Sequence, residues 1–168
     1  RPFVSRPPRL FAMDLSDLYI ETLVKDGDGN PTGVMFKGEE VPFVRRTFTI
    51  EFSDGSTADR GLSFVPHHGP VRAIDVENNT AVTLRWTGND IDTDINLFVE
   101  LAMASNIEEA KQAVSNGTTV GQNWVVIDSQ NDIGWFPYNR LPKRTWATNL
   151  AGDAPPWLPL DGSGDYEW

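Results

Sequence analysis

Cysteine is missing from this chain altogether. That excludes disulfides, a thiol nucleophile and structural zinc of the cysteine-rich kind. It leaves the cellular compartment open. Histidine is scarce: the two copies, His67 and His68, stand side by side. Basic residues are in deficit, with 14 Lys and Arg against 24 Asp and Glu and a formal charge of −10. A negative surplus of that size argues against nucleic-acid backbones and anionic membranes as partners. No apolar run approaches the roughly 18 residues that a bilayer span needs. Arg1 to Arg9 mixes bases with prolines and lacks the apolar centre of a signal peptide. What is present is a foldable composition, 39% hydrophobic and 11% aromatic over 168 residues. That suits one domain with a real core rather than a disordered chain.

The organisation reads mainly as strands. Residues 1–11 hold three prolines and three arginines and read as an irregular arm, with a single domain over 12–168. Residues 17–24 read as a strand, and Lys25 to Gly33 as a turn. Met35 to Phe52 suggests two or three strands, since Phe48, Ile50 and Phe52 alternate with Thr49 and Glu51. Asp54-Gly55 signals a hairpin. Phe64 to Ile74 is a strand region broken at Pro66 and Pro70, which points to an edge or a bulge. Ala81 to Trp86 is another strand. Helical periodicity is confined to the middle. Ile95, Phe98, Val99 and Ala102 fall on one helical face, with Thr93 or Asp94 as cap. A second helix is expected after Asn106, with Ile107, Ala110, Ala113 and Val114 inward. Glu109 would complete its capping box, and Gly117 would stop it. Then Trp124–Ile127, the turn cluster Asp128–Asp132 and Ile133–Phe136 compose a β-hairpin. The first of its strands has the look of one buried on both faces, and Trp124 and Trp135 are both expected in the core. A Pro/Gly-rich loop tail follows from Ala151. The fold class is therefore α+β: a mainly antiparallel sheet with a central helical pair.

Most candidate chemistry dissolves on counting. Asp26-Gly-Asp-Gly-Asn30 resembles the start of a calcium loop, but the sixth and twelfth positions from Asp26 are Pro31 and Lys37, which an EF-hand does not allow. Asn89 to Asp94 alternates three carboxylates and reads as a helix entry. His67 and His68, if on a strand, would point to opposite faces and could not share a metal. No G-x-S-x-G elbow supports a Ser-His-Asp triad.

The order of a series of motifs is more specific. Asp14-Leu15-Ser16-Asp17-Leu18-Tyr19-Ile20-Glu21 comes first, then His68-Gly69-Pro70. The hairpin follows, with Gln122-Asn123-Trp124 at its start and Asn131-Asp132-Ile133-Gly134-Trp135 across its turn. Next come Asn139-Arg140-Leu141-Pro142-Lys143-Arg144 and Leu158-Pro159-Leu160-Asp161-Gly162-Ser163-Gly164, and last Glu167-Trp168. This series resembles the penicillin acylase family of N-terminal nucleophile hydrolases, over roughly residues 12–168. Two positions depart from the family's pattern: Asp132 stands for its usual Asn, and Asn139 for its usual Gly.

The resemblance implies an interior fragment of the large chain of an αββα-type N-terminal nucleophile hydrolase. Family members free a serine at the start of that chain by self-cleavage, and the serine's own amine acts as base. This chain starts at Arg1, and the segment around Ser5 does not resemble the nucleophile segment. The family's oxyanion asparagine lies beyond the Glu-Trp pair. No catalytic residue is therefore expected within the chain, and the chain alone should be inactive. Its partners would be the small chain, the rest of the large chain and a small acyl-amide substrate. The parent would be periplasmic or secreted. The resemblance also implies structural calcium, with Asp14, Ser16, Asp17 and the Pro156 carbonyl as ligands. It implies further that Phe98, Gln122 and Trp124 contribute to the wall of an acyl pocket. A different class, a non-catalytic β-rich module presenting six tryptophans to sugars or a protein, is the alternative.

Overall fold

A computed structural model describes residues 4–5, 9–10, 14–90, 94–117, 122–147, 154–155 and 157–168. By density of contacts the chain divides into two compact units, where the sequence suggested one domain over 12–168. One unit comprises residues 1–15 and 87–142, the other 16–86 and 143–168.

The first unit holds strands β1 (Val4–Ser5) and β2 (Arg9–Leu10), which both pair antiparallel with a strand far along the chain. The arm expected to be irregular therefore contributes two short strands. The second unit begins with β3 (Ser16–Lys25), β4 (Pro31–Phe36), β5 (Glu39–Pro42), β6 (Val44–Glu51), β7 (Thr57–Val65), β8 (Gly69–Asp75) and β9 (Thr80–Trp86). The chain then returns to the first unit for α1 (Asp94–Met103), α2 (Ile107–Ser115), β10 (Gln122–Ile127) and β11 (Ile133–Tyr138). It ends in the second with β12 (Leu160–Asp161). The mainly antiparallel sheets and the helical pair make the α+β class plain.

In the second unit the described strands run in the order β5-β4-β3-β9-β8-β7-β6, with β12 parallel to β3. The tail expected to be all loop thus contains a strand. Alternation along β3 is strict: Asp17, Tyr19, Glu21 and Leu23 are buried, and the residues between them face outward. Across the ladder Tyr19 faces Thr83 and Asp17 faces Arg85. One side of the sheet is therefore polar as well as buried. The two prolines behave as expected. Pro66 sits in the turn between β7 and β8, and the β8–β9 pairing shifts register between Val71 and Ala73. Side chains also fix the loops: Asp26 Oδ1 accepts from the backbone N–H groups of Asp28 and Asn30 at 3.0 and 2.8 Å. The loop that resembled a calcium site spends its carboxylate on its own backbone.

In the first unit α1 and α2 pack on β10 and β11 around Leu97, Leu101, Ala110, Ala113, Val114, Trp124 and Val126. Asn106 caps α2 by accepting from Glu109 N–H at 2.9 Å. Glu109 reaches back one residue further than the capping box prescribes, to the backbone N–H and hydroxyl of Ser105. Three expectations are corrected here. The buried stripe of α1 is Leu97 and Leu101; Ile95, Phe98, Val99 and Ala102 face outward. β10 is buried on one face only, because Val125 is exposed between Trp124 and Val126. Trp135 is 65% exposed and not core, its Nε1 donating to Asn123 Oδ1 at 3.0 Å. Gly117 also acts differently from a left-handed stop. The α2 cap is Asn116 in right-handed geometry, and a Cβ on Gly117 would press on the Leu97 side chain. The capping of α1 by Thr93, and residues 91–93 of the acidic cluster before it, lie outside the described residues.

Candidate functional site

The polar side of the second unit's sheet carries the densest chemistry among the described residues. Glu21 reaches it from β3 and is fully buried. Its Oε1 accepts from Thr83 Oγ1 at 2.6 Å and lies 2.7 Å from His68 Nδ1. The other nitrogen of that ring, Nε2, meets Glu167 Oε1 at 2.6 Å, and Arg85 Nη1 holds Glu167 Oε2 at 2.9 Å. One imidazole therefore bridges two carboxylates. Tyr19 stacks on it, with ring centroids 3.6 Å apart, and donates its hydroxyl to the Tyr166 carbonyl at 3.0 Å.

Four positions along β3, a whole number of pleats from Glu21, Asp17 is buried on the same side. Its Oδ2 accepts from Arg144 Nε at 2.8 Å and from Trp168 Nε1 at 2.5 Å. The guanidinium of Arg85 lies over the Trp168 ring, 4.6 Å from its centroid. Two buried carboxylate oxygens, Asp17 Oδ1 and Glu21 Oε2, have no hydrogen-bond partner among the described residues.

The electrostatics follow from this packing. Burial opposes a charge on His68, but the hydrogen bonds to Glu167 and Glu21 outweigh it and raise the pKa above the ordinary value. Burial likewise opposes the Glu167 carboxylate, yet the contacts with His68 and Arg85 hold its pKa below the usual value. Burial raises the Tyr19 phenol, and the charge of Asp17 adds to the effect. His67 stacks on Phe36 at 3.7 Å and is pushed down to about 4 by burial and by the neighbouring His68. Its Nε2 is buried without a partner among the described residues.

Five segments that are distant in sequence thus meet in one network: Asp17 and Glu21, His68, Thr83 and Arg85, Arg144, and the stretch from Gly162 to Trp168. The glycines explain their places. Gly69 has φ +76°, which lets the chain turn straight from His68 into β8. Gly162 donates its N–H to the Ile20 carbonyl at 2.9 Å, and a Cβ there would overlap Glu21 Oε2 and lie 2.7 Å from Glu21 Cδ. Gly162→Ala is accordingly expected to cost about 1–3 kcal/mol as an overpacking defect. The midpoint of urea unfolding measures it, and an unchanged midpoint would mean that the carboxylate is not wedged there.

The residues singled out from sequence fall as follows. Asp14 is exposed, Ser16 is the first residue of β3, and Asp17 is buried in the network just described. Pro156, and with it any distance to its carbonyl, lies outside the described residues. Phe98 and Trp124 meet edge to face with ring centroids 6.0 Å apart. Gln122 is two residues from Trp124 on β10 and shares its face; its buried Oε1 has no partner among the described residues. Sequence reasoning missed His68. The alternation argument assumed a strand at 67–68, whereas residues 66–68 form a turn that sets the two rings 4.4 Å apart. The motif His68-Gly69-Pro70 was the signal available.

Comparison with known proteins bears directly on this geometry. The sequence profile of the penicillin amidase family matches residues 10–168. The chain belongs to the penicillin amidase family. It is 30% identical over 159 residues to the penicillin acylase 2 proenzyme of Pseudomonas sp. strain SE83, covering 93% of this chain and 19% of that protein. It is 27% identical over 159 residues to the acyl-homoserine lactone acylase QuiP of Pseudomonas fluorescens strain Pf-5, covering 92% of this chain and 18% of that protein. Among solved structures it is similar to a thermostable penicillin G acylase from Alcaligenes faecalis, with a TM-score of 0.79 at 20% identity. That likeness covers 99% of this chain and 28% of the other. The chain therefore spans about a fifth of the length of the curated relatives that it matches.

Proposed function

We propose that this penicillin amidase family chain is an interior part of an acylase, the scaffold of an enzyme that hydrolyses the amide between an acyl group and an amine. One observation carries the reading. Asp17, Glu21, His68, Arg144, Glu167 and Trp168, all from motifs that resemble the family, are spent on a buried ionic framework that ties β3 to Arg144, Glu167 and Trp168. Each of its charged groups holds another charged group or an aromatic ring. In this reading the nucleophile is an N-terminal serine outside residues 1–168. Its oxyanion is held by donors in the rest of the large chain, where fixed dipoles stabilise developing charge. Phe98, Gln122 and Trp124 would line one wall of the acyl pocket. The relatives' names supply two substrate classes, penicillins and acyl-homoserine lactones, and the scaffold is common to both.

Calcium at Asp14, Ser16, Asp17 and Pro156, implied by the resemblance, belongs to the same proposal. The buried Oδ1 of Asp17 suits a hard, oxygen-seeking ion; the Oδ2 is already engaged by Arg144 and Trp168. When bound, the ion would supply structural rigidity rather than chemistry.

The chain alone is expected to show no turnover of a chromogenic phenylacetyl or long-chain acyl amide above buffer. Loss of a nucleophile removes nearly all of the rate in enzymes that use one. Turnover that vanishes on Ser5→Ala would overturn the assignment.

A further inference from the structure

We propose that Glu21, His67 and His68 form a site for one divalent transition-metal ion of the zinc type, independent of any acylase chemistry. The turn at 66–68 brings the two histidine rings together at 70° to each other. One donor atom from each of the three residues lies within 4.8 Å of the others. Two imidazoles and a carboxylate form the donor set of many zinc sites, and imidazole nitrogen selects against calcium and magnesium.

The surroundings are built as a metal's outer shell would be. A histidine that binds metal through one nitrogen commonly donates its other N–H to a carboxylate, which fixes its tautomer and raises its basicity. His68 Nε2 makes that bond to Glu167, and Arg85 in turn pins Glu167. Glu21 Oε1 is oriented by the Thr83 hydroxyl. Phe36 and Tyr19 stack on the faces of His67 and His68. Face stacking fixes the ring planes while leaving the in-plane lone pairs available. His67 adds the second observation: its buried Nε2 has no partner among the described residues. A buried imidazole nitrogen left that way is costly, and an ion would satisfy it.

On binding, the ion takes the place of the proton between His68 Nδ1 and Glu21 Oε1. Those atoms are 2.7 Å apart. Two ligands of a tetrahedral zinc stand about 3.4 Å apart at ordinary bond lengths. Side-chain torsions cover the difference. A solvent molecule or Glu21 Oε2 supplies the fourth donor.

The test uses the full chain, prepared without a polyhistidine tag and stripped with chelator. Zn²⁺ is titrated against a chromogenic chelator, and Co²⁺ is followed by its visible absorption. We expect one equivalent of Zn²⁺ and the intense visible bands of four-coordinate Co²⁺. His67→Phe keeps a ring against Phe36 and removes the donor, so it should weaken Zn²⁺ binding at least tenfold and abolish those bands. The metal-free variant should fold as well as the wild type by circular dichroism; should it not, His67→Gln is measured in its place. Failure of the wild type to bind Zn²⁺ overturns the proposal. So does binding that survives removal of the His67 nitrogen undiminished.

Discussion

Glu21→Ala is expected to destabilise the chain by about 3–5 kcal/mol. That is the scale for removing one partner of a buried ion pair and leaving the other charge uncompensated. Glu21 and His68 have no side-chain exposure, so water cannot replace the lost carboxylate. The same substitution strands the Thr83 hydroxyl, which donates only to Glu21 among the bonds described. Urea unfolding of wild type, Glu21→Ala, His68→Ala and the double variant gives the coupling directly. A loss below about 1 kcal/mol for Glu21→Ala, the scale of an exposed pair, would show that the network decorates the fold rather than holds it.

The pH profile of that stability is a second signature of the same pairs, measured with chelator present. The folded pKa of His68 lies above its ordinary value of 6.5. Its contribution is therefore complete below pH 6.5 and is lost as pH rises through the folded value. The folded pKa of Glu167 lies below its ordinary value of 4.5, so its contribution is complete above pH 4.5 and is lost as pH falls through the folded value. These two groups together place a plateau between pH 4.5 and 6.5. In Glu21→Ala the alkaline decline should be shallower and end at lower pH, because His68 has lost one of the carboxylates that keep it charged.

The strands of this fold were largely legible, because alternation is a local signal. β3 writes its buried face as Asp17, Tyr19, Glu21 and Leu23, and the turns at Asp26, Asp54 and Asp128 announce themselves through residues that bond their own backbone. What alternation cannot supply is the partner. That Asp17 and Glu21 are buried follows from burial on β3, but that Arg144, Trp168, His68 and Glu167 satisfy them is a long-range fact of chain folding. Only the ordered series of motifs hinted at it. α1 failed for a related reason: it is apolar on more than one side, so periodicity offered two stripes and the packing of α2 chose Leu97 and Leu101. The two-unit division was hidden because each unit is assembled from two separate stretches of the chain.

The β-hairpin turns the same limitation into a measurable contrast. Its five-residue turn sets Ile127 opposite Ile133, so Trp124 pairs with Phe136 and Val125 with Trp135. One residue fewer in that turn would have put Trp135 on the inner face, since a single-residue slip exchanges the two sides of a strand. As it stands, Trp124 is 6% exposed and packed among Leu97, Leu101, Ala113 and Val114, while Trp135 lies in solvent beside Asn123. Trp124→Ala should therefore cost about 3–5 kcal/mol, the usual loss for a large buried aromatic and the cavity that it leaves. Trp135→Ala forfeits one exposed hydrogen bond and a cross-strand contact, and should cost about 0.2–1 kcal/mol. Urea midpoints of the two variants, with tryptophan fluorescence to report burial, decide between this register and its neighbour. Equal losses at both positions, or a larger one at Trp135, would mean that the hairpin is paired one residue out of step and that the helices rest on its other face.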